Sequence, residues 1–193
     1  MLISITGRLG SGKSTVCNIM KERYGFQIFS TGAIQREYAR RLGITTLELN
    51  KRMDENPNLD KDIDDTVTRM SIEHKDEKLI FDSRMAWHFA LDTFKIFLTI
   101  DAMEAARRVM LNQRGEEERY SDVDDACAKL VERSRIERER FIEIYGVDYY
   151  DYNNFNIVID TTNKTPEEVV GIITENYELF NSDPSSFTSP KIL

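Results

Sequence analysis

The segment SITGRLGSGKST, residues 4–15, constrains the fold of this chain more than any other segment. It carries three glycines, a lysine and a terminal pair of hydroxyl residues after a mainly apolar run, and residues 7–14 fit the pattern GxxxxGK[ST]. Such a pattern binds phosphate where it follows a strand and opens a helix. The apolar run predicts that strand, and the helical spacing of Val16, Ile19 and Met20 predicts that helix.

The chemistry of this loop predicts a cradle for nucleotide phosphates. Glycines let successive backbone N–H groups curve around an anion, and the N-terminus of the following helix adds partial positive charge. Lys13 is expected to reach the β- and γ-phosphates, Ser14 to coordinate magnesium and Thr15 to hydrogen-bond the α-phosphate. The residues predicted to hold the nucleotide here are Gly7, Gly10, Ser11, Gly12, Lys13, Ser14 and Thr15.

Apolar runs alternate with helical patterns along the chain, and this alternation predicts an α/β fold with a parallel sheet. Gly25 is expected to end the first helix, and Thr165 with Glu168 forms a capping box that starts the last one. The runs interpreted as buried strands are residues 2–6, 26–30, 78–83, 94–101 and 156–161.

The length of 193 residues fits one domain, expected to span residues 1–180. Two intervals, residues 31–77 and 112–135, are longer than a crossover between neighbouring strands requires, so we interpret them as insertions. Residues 181–193 are rich in proline and serine and are expected to be disordered.

The composition narrows the class of partner. A formal net charge of −8 disfavours nucleic acid, so a polyanionic ligand has to be held by local arginines and backbone amides. No apolar stretch approaches the roughly 18 residues of a membrane span. The sequence has no export signal, and Cys17 and Cys127 stand in no metal-type spacing, so we expect a cytoplasmic protein. We also expect it to be a monomer whose partners are small-molecule nucleotides and not a membrane.

Several classes of nucleotide-binding protein share this glycine loop, and GTPases are one of them. A GTPase reads guanine with an Asn-Lys-x-Asp element. The segment TNKTP, residues 162–166, begins in the same way but has Pro166 where the aspartate should be. The sequence therefore disfavours a GTPase.

The second predicted strand ends in FSTGAIQRE, where Ser30, Thr31 and Gly32 precede Arg36 by about one helical turn. This combination resembles the acceptor-site signature of nucleoside monophosphate kinases. Four further segments are similar to those of archaeal-type cytidylate kinases in the P-loop nucleoside monophosphate kinase family, and the resemblance covers about residues 1–180. These are RRLGITTLELNKRMDENPNLDKDIDD (40–65), FDSRMAW (81–87), ERSRIERERFIEIYGVD (132–148) and IVIDTTNKTPEEVV (157–170).

The resemblance implies a three-layer P-loop kinase fold with a five-stranded parallel sheet. Residues 31–77 would form a helical acceptor-binding insertion and residues 112–135 a small lid, both closing over the substrates. The implied reaction is phosphoryl transfer from ATP, with magnesium, to CMP or dCMP. No side-chain base is expected, because the acceptor phosphate has a second pKa of about 6 and is already ionised at neutral pH.

The resemblance also assigns roles at the acceptor site. Arg36 and Arg84 would grip the acceptor phosphate, since a guanidinium fork matches two phosphate oxygens. Thr31 and Gly32 would line the same site, and Asp82 would order magnesium through its water shell.

Further arginines and acids match the family pattern in other parts of the chain. Arg133 and Arg140 are expected in catalysis together with Lys13, Arg36 and Arg84, and Arg108 and Arg114 against the adenine ring or the phosphates. Asp60 and Asp64 match the acidic spacing that would accept a hydrogen bond from the cytosine amine. Arg135 and Arg138 match nothing in the pattern and are expected to pair with Glu132, Glu137 and Glu139 on the helix surface.

Two other interpretations stay open at this point. One is a kinase for AMP, UMP or a small metabolite, because adenine also carries an exocyclic amine. The other is a nucleotide-binding regulatory module without turnover. The acceptor arginines favour a kinase over such a module, since a sensor has no need of them.

Overall fold

The computed structural model describes residues 2–54, 58–112 and 119–193. The strands found there are β1 (Leu2–Gly7), β2 (Gln27–Ser30), β3 (Leu79–Asp82), β4 (Phe94–Thr99), β5 (Ile157–Asp160) and β6 (Lys191–Ile192). They form one sheet in the order β2-β3-β1-β4-β5-β6, and each neighbouring pair is parallel. The predicted α/β fold with a parallel sheet is confirmed.

Helices connect the strands and cover both faces of the sheet. They are α1 (Lys13–Tyr24), α2 (Thr31–Leu42), α3 (Thr46–Asp54), α4 (Asn58–Glu73), α5 (Ala86–Phe89), α6 (Ala102–Leu111), α7 (Val123–Tyr145) and α8 (Pro166–Ser182). Gly25 ends α1 with a φ of 74°, and Thr165 and Glu168 cap α8 reciprocally, as the sequence predicts. None of the described helices combines the length and apolar character needed to cross a membrane.

The core consists of two layers of side chains on opposite faces of the sheet. Neighbouring strand residues point to opposite faces, so Ile96 and Leu98 pack under α1 and α8 while Phe97 packs against the aromatic residues of α5 and α7. Because both faces are covered, the strands are mainly apolar, and the Ser4 and Thr6 hydroxyls of β1 are buried with hydrogen-bond partners. Cys17 is buried in the first of these layers, as expected.

The sequence prediction of five strands is wrong, and so is the expectation of a disordered tail. β6 pairs with β5, and Phe187 is buried within 5.7 Å of Phe94, measured between ring centroids. Asp183 caps the turn that carries Phe187 into the core, because its Oδ1 accepts from the Ser185 N–H at 3.1 Å. A polar composition favours disorder only where no large apolar side chain anchors the segment.

The interval interpreted as an insertion, residues 31–77, consists of α2, α3 and α4 within the described part of the chain. Thr45 starts α3 through reciprocal hydrogen bonds with Glu48. The interval 112–135 includes residues 113–118, which lie outside the described residues, and then the first half of α7. The roles of both intervals stay predictions.

Candidate active site

A cleft of about 740 Å³ opens at the carboxyl ends of the strands. β1 lies between β3 and β4, so the segments that leave β1 and β4 diverge and leave a crevice, as parallel α/β sheets do at such a switch point. The predicted site residues that line this cleft are Gly10, Ser11, Gly12, Lys13, Ser14, Thr15, Gly32, Arg36, Asp82, Arg84, Arg108 and Arg133.

The glycine loop is fitted tightly between β4 and α6. A Cβ on Gly7, whose φ is 152°, would lie 2.3 Å from the carbonyl oxygen of Leu98. A Cβ on Gly10, at a φ of 77°, would lie 2.8 Å from the Cβ of Ala105. Gly12 adopts a left-handed conformation at the N-cap of α1. The glycines therefore let the backbone itself form the wall of the cleft.

Lys13 is buried at the base of this loop. Its ammonium group donates to the carbonyl oxygens of Gly7 and Arg8 at 3.0 and 3.1 Å. Burial and, next, the positive charge of Arg84 lower the pKa of Lys13 to about 7. The loop also holds Ser11 Oγ, which is buried without a hydrogen-bond partner among the described residues. Both groups are suited to an anion entering the cleft.

The opposite wall comes from the ends of β2 and β3. Ser30 pairs with Asp82 in the strand register, and its hydroxyl donates to the Asp82 carboxylate at 2.8 Å. Thr31 Oγ1 lies 3.5 Å from the Asp82 carbonyl oxygen, to which it donates. A Cβ on Gly32 would lie 3.4 Å from Nη1 of Arg36, so the Arg36 guanidinium lies close to the helix backbone. The structure thus brings the predicted acceptor residues next to the predicted magnesium residue.

Arg84 and Arg133 meet at one buried carboxylate. The Nε of Arg84 donates to Oε2 of Glu137 at 2.9 Å, and the Nε of Arg133 donates to Oε1 at 3.0 Å. Burial would raise the pKa of Glu137, but Arg84, Arg133 and Arg140 lower it to about 2. Burial of Arg84 lowers the pKa of its guanidinium, but the Glu137 carboxylate outweighs this effect and holds that pKa above its ordinary value. Glu137 and Arg84 are therefore both charged at neutral pH.

The expectation that Glu137 pairs on the helix surface is wrong. Arg135 pairs with Glu132 and Glu139 as expected, but Arg138 pairs with Asp148. Only 2% of Glu137 is exposed. The signal was available in the sequence, since Glu137 follows Leu130 by seven residues and precedes Phe141 by four, which places it on the apolar stripe of α7.

The two predicted catalytic arginines of α7 also hold α3. Arg133 Nη1 donates to Thr46 Oγ1 at 3.1 Å, and Arg140 Nη1 donates to the Asn50 carbonyl oxygen at 3.0 Å. Both arginines are buried. Of the two, Arg133 lines the cleft and Arg140 lies against α3. A phosphate contact for either residue stays a prediction.

Comparison with known proteins identifies the family. Residues 2–163 match the cytidylate kinase-like family. The chain belongs to this family. A cytidylate kinase from Sulfurisphaera tokodaii is 33% identical over 173 residues, which cover 90% of this chain and 93% of that protein. As a member of the family, the chain is a nucleoside monophosphate kinase and therefore a phosphotransferase.

Two further similarities extend this result. An S-adenosylmethionine-dependent nucleotide dehydratase from Lacinutrix mariniflava is 33% identical over 181 residues, 93% of this chain but 36% of that protein, so the chain spans little more than a third of its length. A shikimate kinase from Bacteroides thetaiotaomicron shares the fold with a TM-score of 0.60 at 12% identity, covering 92% of this chain and 98% of that one.

The remaining predicted residues of this kinase have definite positions. Arg108 lines the cleft and donates from Nη2 to the carbonyl oxygen of Thr161 at 2.7 Å, which ties α6 to the loop after β5. Arg114 and the side chain of Asp60 lie outside the described residues. Asp64 is buried and accepts a hydrogen bond from the Tyr145 hydroxyl, which links α4 to the end of α7.

Thr161 was not singled out in the sequence. Its hydroxyl lies 3.2 Å from the carbonyl oxygen of Ser11, to which it donates. It lines the cleft beside the glycine loop. Its position directly after the fifth strand was the available signal, because residues at the carboxyl ends of parallel strands meet at one edge of the sheet.

Proposed function

We propose that this kinase transfers the γ-phosphoryl group of ATP, bound with Mg²⁺, to CMP or dCMP. The observation that supports this most directly is the cleft itself. The glycine loop with Lys13 lines it, and so do Arg36 and Arg84. Two sets of anion-binding groups in one cavity suit a donor and an acceptor that are both phosphates.

The donor side consists of the glycine loop and the loop after β5. The backbone N–H groups from Gly10 onward and the N-terminus of α1 would hold the donor phosphates, and the buried Ser11 hydroxyl would gain a partner. The Ser14 hydroxyl and the Asp82 carboxylate both line the cleft and are hard oxygen ligands, which suits Mg²⁺. Magnesium, when bound there, supplies positive charge that offsets the charge of the phosphates.

The acceptor side consists of Thr31, Gly32, Arg36 and Arg84. The guanidinium groups of Arg36 and Arg84 would hold the acceptor phosphate by paired hydrogen bonds. Arg133, which lines the same cleft, adds a third positive charge. The attacking phosphate oxygen has already lost its proton at neutral pH, since its second pKa is about 6. The contribution of the protein is therefore to position two anions in line and to offset their repulsion.

Water has to be excluded during transfer, since it would otherwise accept the phosphoryl group. We assign residues 31–77 the role of acceptor cover and residues 112–135 that of lid. In support of this, Gly32 and Arg36 of the first interval and Tyr120 and Arg133 of the second line the cleft. Because closure over the acceptor would complete the site, it would also add to substrate selection.

The preference for a cytosine nucleotide is supported by the relatives and not by a base contact. The matched relatives include cytidylate kinases that are 31–33% identical over about nine-tenths of this chain. Asp64, expected to bind the base, instead accepts from Tyr145 and lies outside the cleft wall among the described residues. We therefore rest the acceptor assignment on the similarity.

A panel assay tests the proposal. ADP production from Mg-ATP would be followed spectrophotometrically with CMP, dCMP, UMP, AMP and GMP as acceptors. We expect the highest kcat/KM with CMP or dCMP, and no transfer when magnesium is removed with a chelator. Preferred turnover of AMP or UMP would refute the acceptor assignment, and a lack of turnover with every nucleotide would refute the proposed reaction.

A further inference from the structure

Glu137 is a buried carboxylate next to a cleft proposed to bind anions, which its negative charge would repel. It is 2% exposed and lies behind a cleft whose proposed ligands are all anions. Its two carboxylate oxygens accept from two different arginines, Arg84 after β3 and Arg133 on α7. In each arginine the atom that Glu137 binds is Nε. Both guanidinium groups belong to the wall of the cleft.

We propose that Glu137 is a positioning residue for the acceptor phosphate, and this inference rests on the proposed function. By binding each Nε, the carboxylate fixes the plane of each guanidinium. In Arg84 this bond leaves the Nη groups to other partners, whereas Nη1 of Arg133 donates to Thr46 Oγ1. A guanidinium is planar, so one bond to Nε and the direction of the side chain together set the orientation of the whole fork. One buried carboxylate thus aligns two forks that come from different elements.

The surroundings of Glu137 show why it can hold this geometry. It has no access to water that would compete for its lone pairs, and its charge is maintained by the surrounding guanidinium groups, so both oxygens keep their acceptor role. Arg84, Arg133 and Arg140 outnumber Glu137 and Asp82, the two carboxylates that act on Arg84, so an excess of positive charge remains for a ligand. The acid organises the arginines without cancelling their attraction for phosphate.

The same network extends into the proposed acceptor insertion. Arg133 also donates to Thr46 at the start of α3, and Arg140 donates to Asn50 one turn later. A ligand bound to Arg133 is therefore linked to α3 directly through Thr46, and a ligand bound to Arg84 is linked to it through Glu137 and Arg133. This continuity fits a residue that couples the phosphate site to the element proposed to cover the acceptor.

The matched variants are Glu137→Asp and Glu139→Asp, with Glu137→Gln as a second variant. Glu137→Asp keeps the buried charge but shortens the side chain by one methylene, so it is expected to reach only one arginine. Glu139 lies on the same helix but is exposed and pairs with Arg135. If Glu137 only balanced charge, Glu137→Asp would behave like the wild type.

The first readout needs no substrate. Arginine Nε–H signals in the NMR spectrum of the ligand-free protein would be assigned with Arg84→Lys and Arg133→Lys. We expect both signals to be protected from exchange in the wild type and in Glu139→Asp, and at least one to lose protection in Glu137→Asp and Glu137→Gln. Inorganic phosphate should perturb both signals in the wild type and affect them less in the variants.

The second readout is kinetic. Misplacement of a binding group by about 1 Å costs on the order of 100-fold in rate, so we expect a loss of this size in kcat/KM for the monophosphate and a much smaller change in the dissociation constant for ATP. In a double-mutant cycle, Glu137→Asp should have little further effect once Arg84 is replaced by Ala. Unchanged Nε signals in Glu137→Asp, or additive effects in the cycle, would overturn the proposal. If no monophosphate is turned over while the Nε signals behave as expected, the proposed function fails and the positioning role stands.

Discussion

Binding of a nucleotide to the glycine loop should take up a proton at Lys13. The pKa of Lys13 is lowered from 10.5 to about 7 in the ligand-free protein, first by burial and second by Arg84. A phosphate next to Nζ favours the charged ammonium and raises this pKa again. At pH 8 a group with a pKa of about 7 is about nine-tenths deprotonated, so each nucleotide bound should bring about 0.9 protons with it.

The same reasoning sets the pH dependence of the affinity. The charged fraction of Lys13 falls from about one half at pH 7 to about 1% at pH 9. If only the charged form binds nucleotide, the affinity should fall about 50-fold over that interval, which is about 2.3 kcal/mol. The sign is fixed: raising the pH weakens binding, although the nucleotide itself carries more negative charge.

Calorimetry at pH 8 in two buffers with different ionisation enthalpies measures this proton uptake directly. At that pH the nucleotide phosphate, with a second pKa of about 6, is fully ionised and contributes little. The matched control is Lys13→Arg, which keeps a positive charge but does not titrate in this range. Binding heats that are independent of the buffer in the wild type would refute the assignment of a lowered pKa to Lys13.

Three other predictions follow from the packing and the site. Gly10→Ala should lower the free energy of unfolding by about 1–3 kcal/mol more than Gly12→Ala does, as measured by chemical denaturation. Both substitutions place alanine at a positive φ, but only at position 10 would the new Cβ overlap a neighbour, Ala105. Equal losses in the two variants would show that the loop has room for a side chain at position 10. Arg36→Ala should abolish transfer to the acceptor while the dissociation constant for ATP, measured by calorimetry, stays nearly unchanged, and a parallel loss of ATP binding would contradict its place on the acceptor wall. Phe187→Ala should cost about 3 kcal/mol and release the C-terminal segment to proteolysis, since the ring is buried against Phe94, whereas a tail that docks only through β6 would tolerate the change.

The features that the sequence predicted best are those determined by local chemistry. The glycine loop requires positive φ angles that favour glycine at Gly10 and Gly12, so its position between a strand and a helix followed from residue types alone. The capping box at Thr165 is equally local. The parallel sheet followed from nearly continuous apolar runs, since these need cover on both faces.

The features that the sequence did not predict depend on contacts between distant segments. β6 is two residues long and exists because Phe187, 93 positions after Phe94, finds a place in the core. Glu137 meets Arg84 across 53 positions, whereas helical spacing on α7 indicates only Arg133, four residues before it, and Arg140, three residues after it. The spacing of residues along one helix indicates the possible ion-pair partners of a side chain. Which of them it binds depends on the face of the helix that the fold buries.

The buried Glu137 carboxylate also offsets the repulsion between the guanidinium groups of Arg84 and Arg133. Two guanidinium groups behind a cleft repel each other and lose hydration, so without a counter-charge the ligand-free state would be penalised by several kcal/mol. A single carboxylate bound at both Nε atoms removes most of that penalty before any nucleotide arrives. Because it binds Nε of Arg84 and not Nη, it does so without occupying the edge of that guanidinium that a phosphate needs. The acidic net charge of −8 and a phosphate-binding cleft are therefore compatible in one chain, since the cleft is lined by its own local set of positive side chains, Lys13, Arg36, Arg84, Arg108 and Arg133.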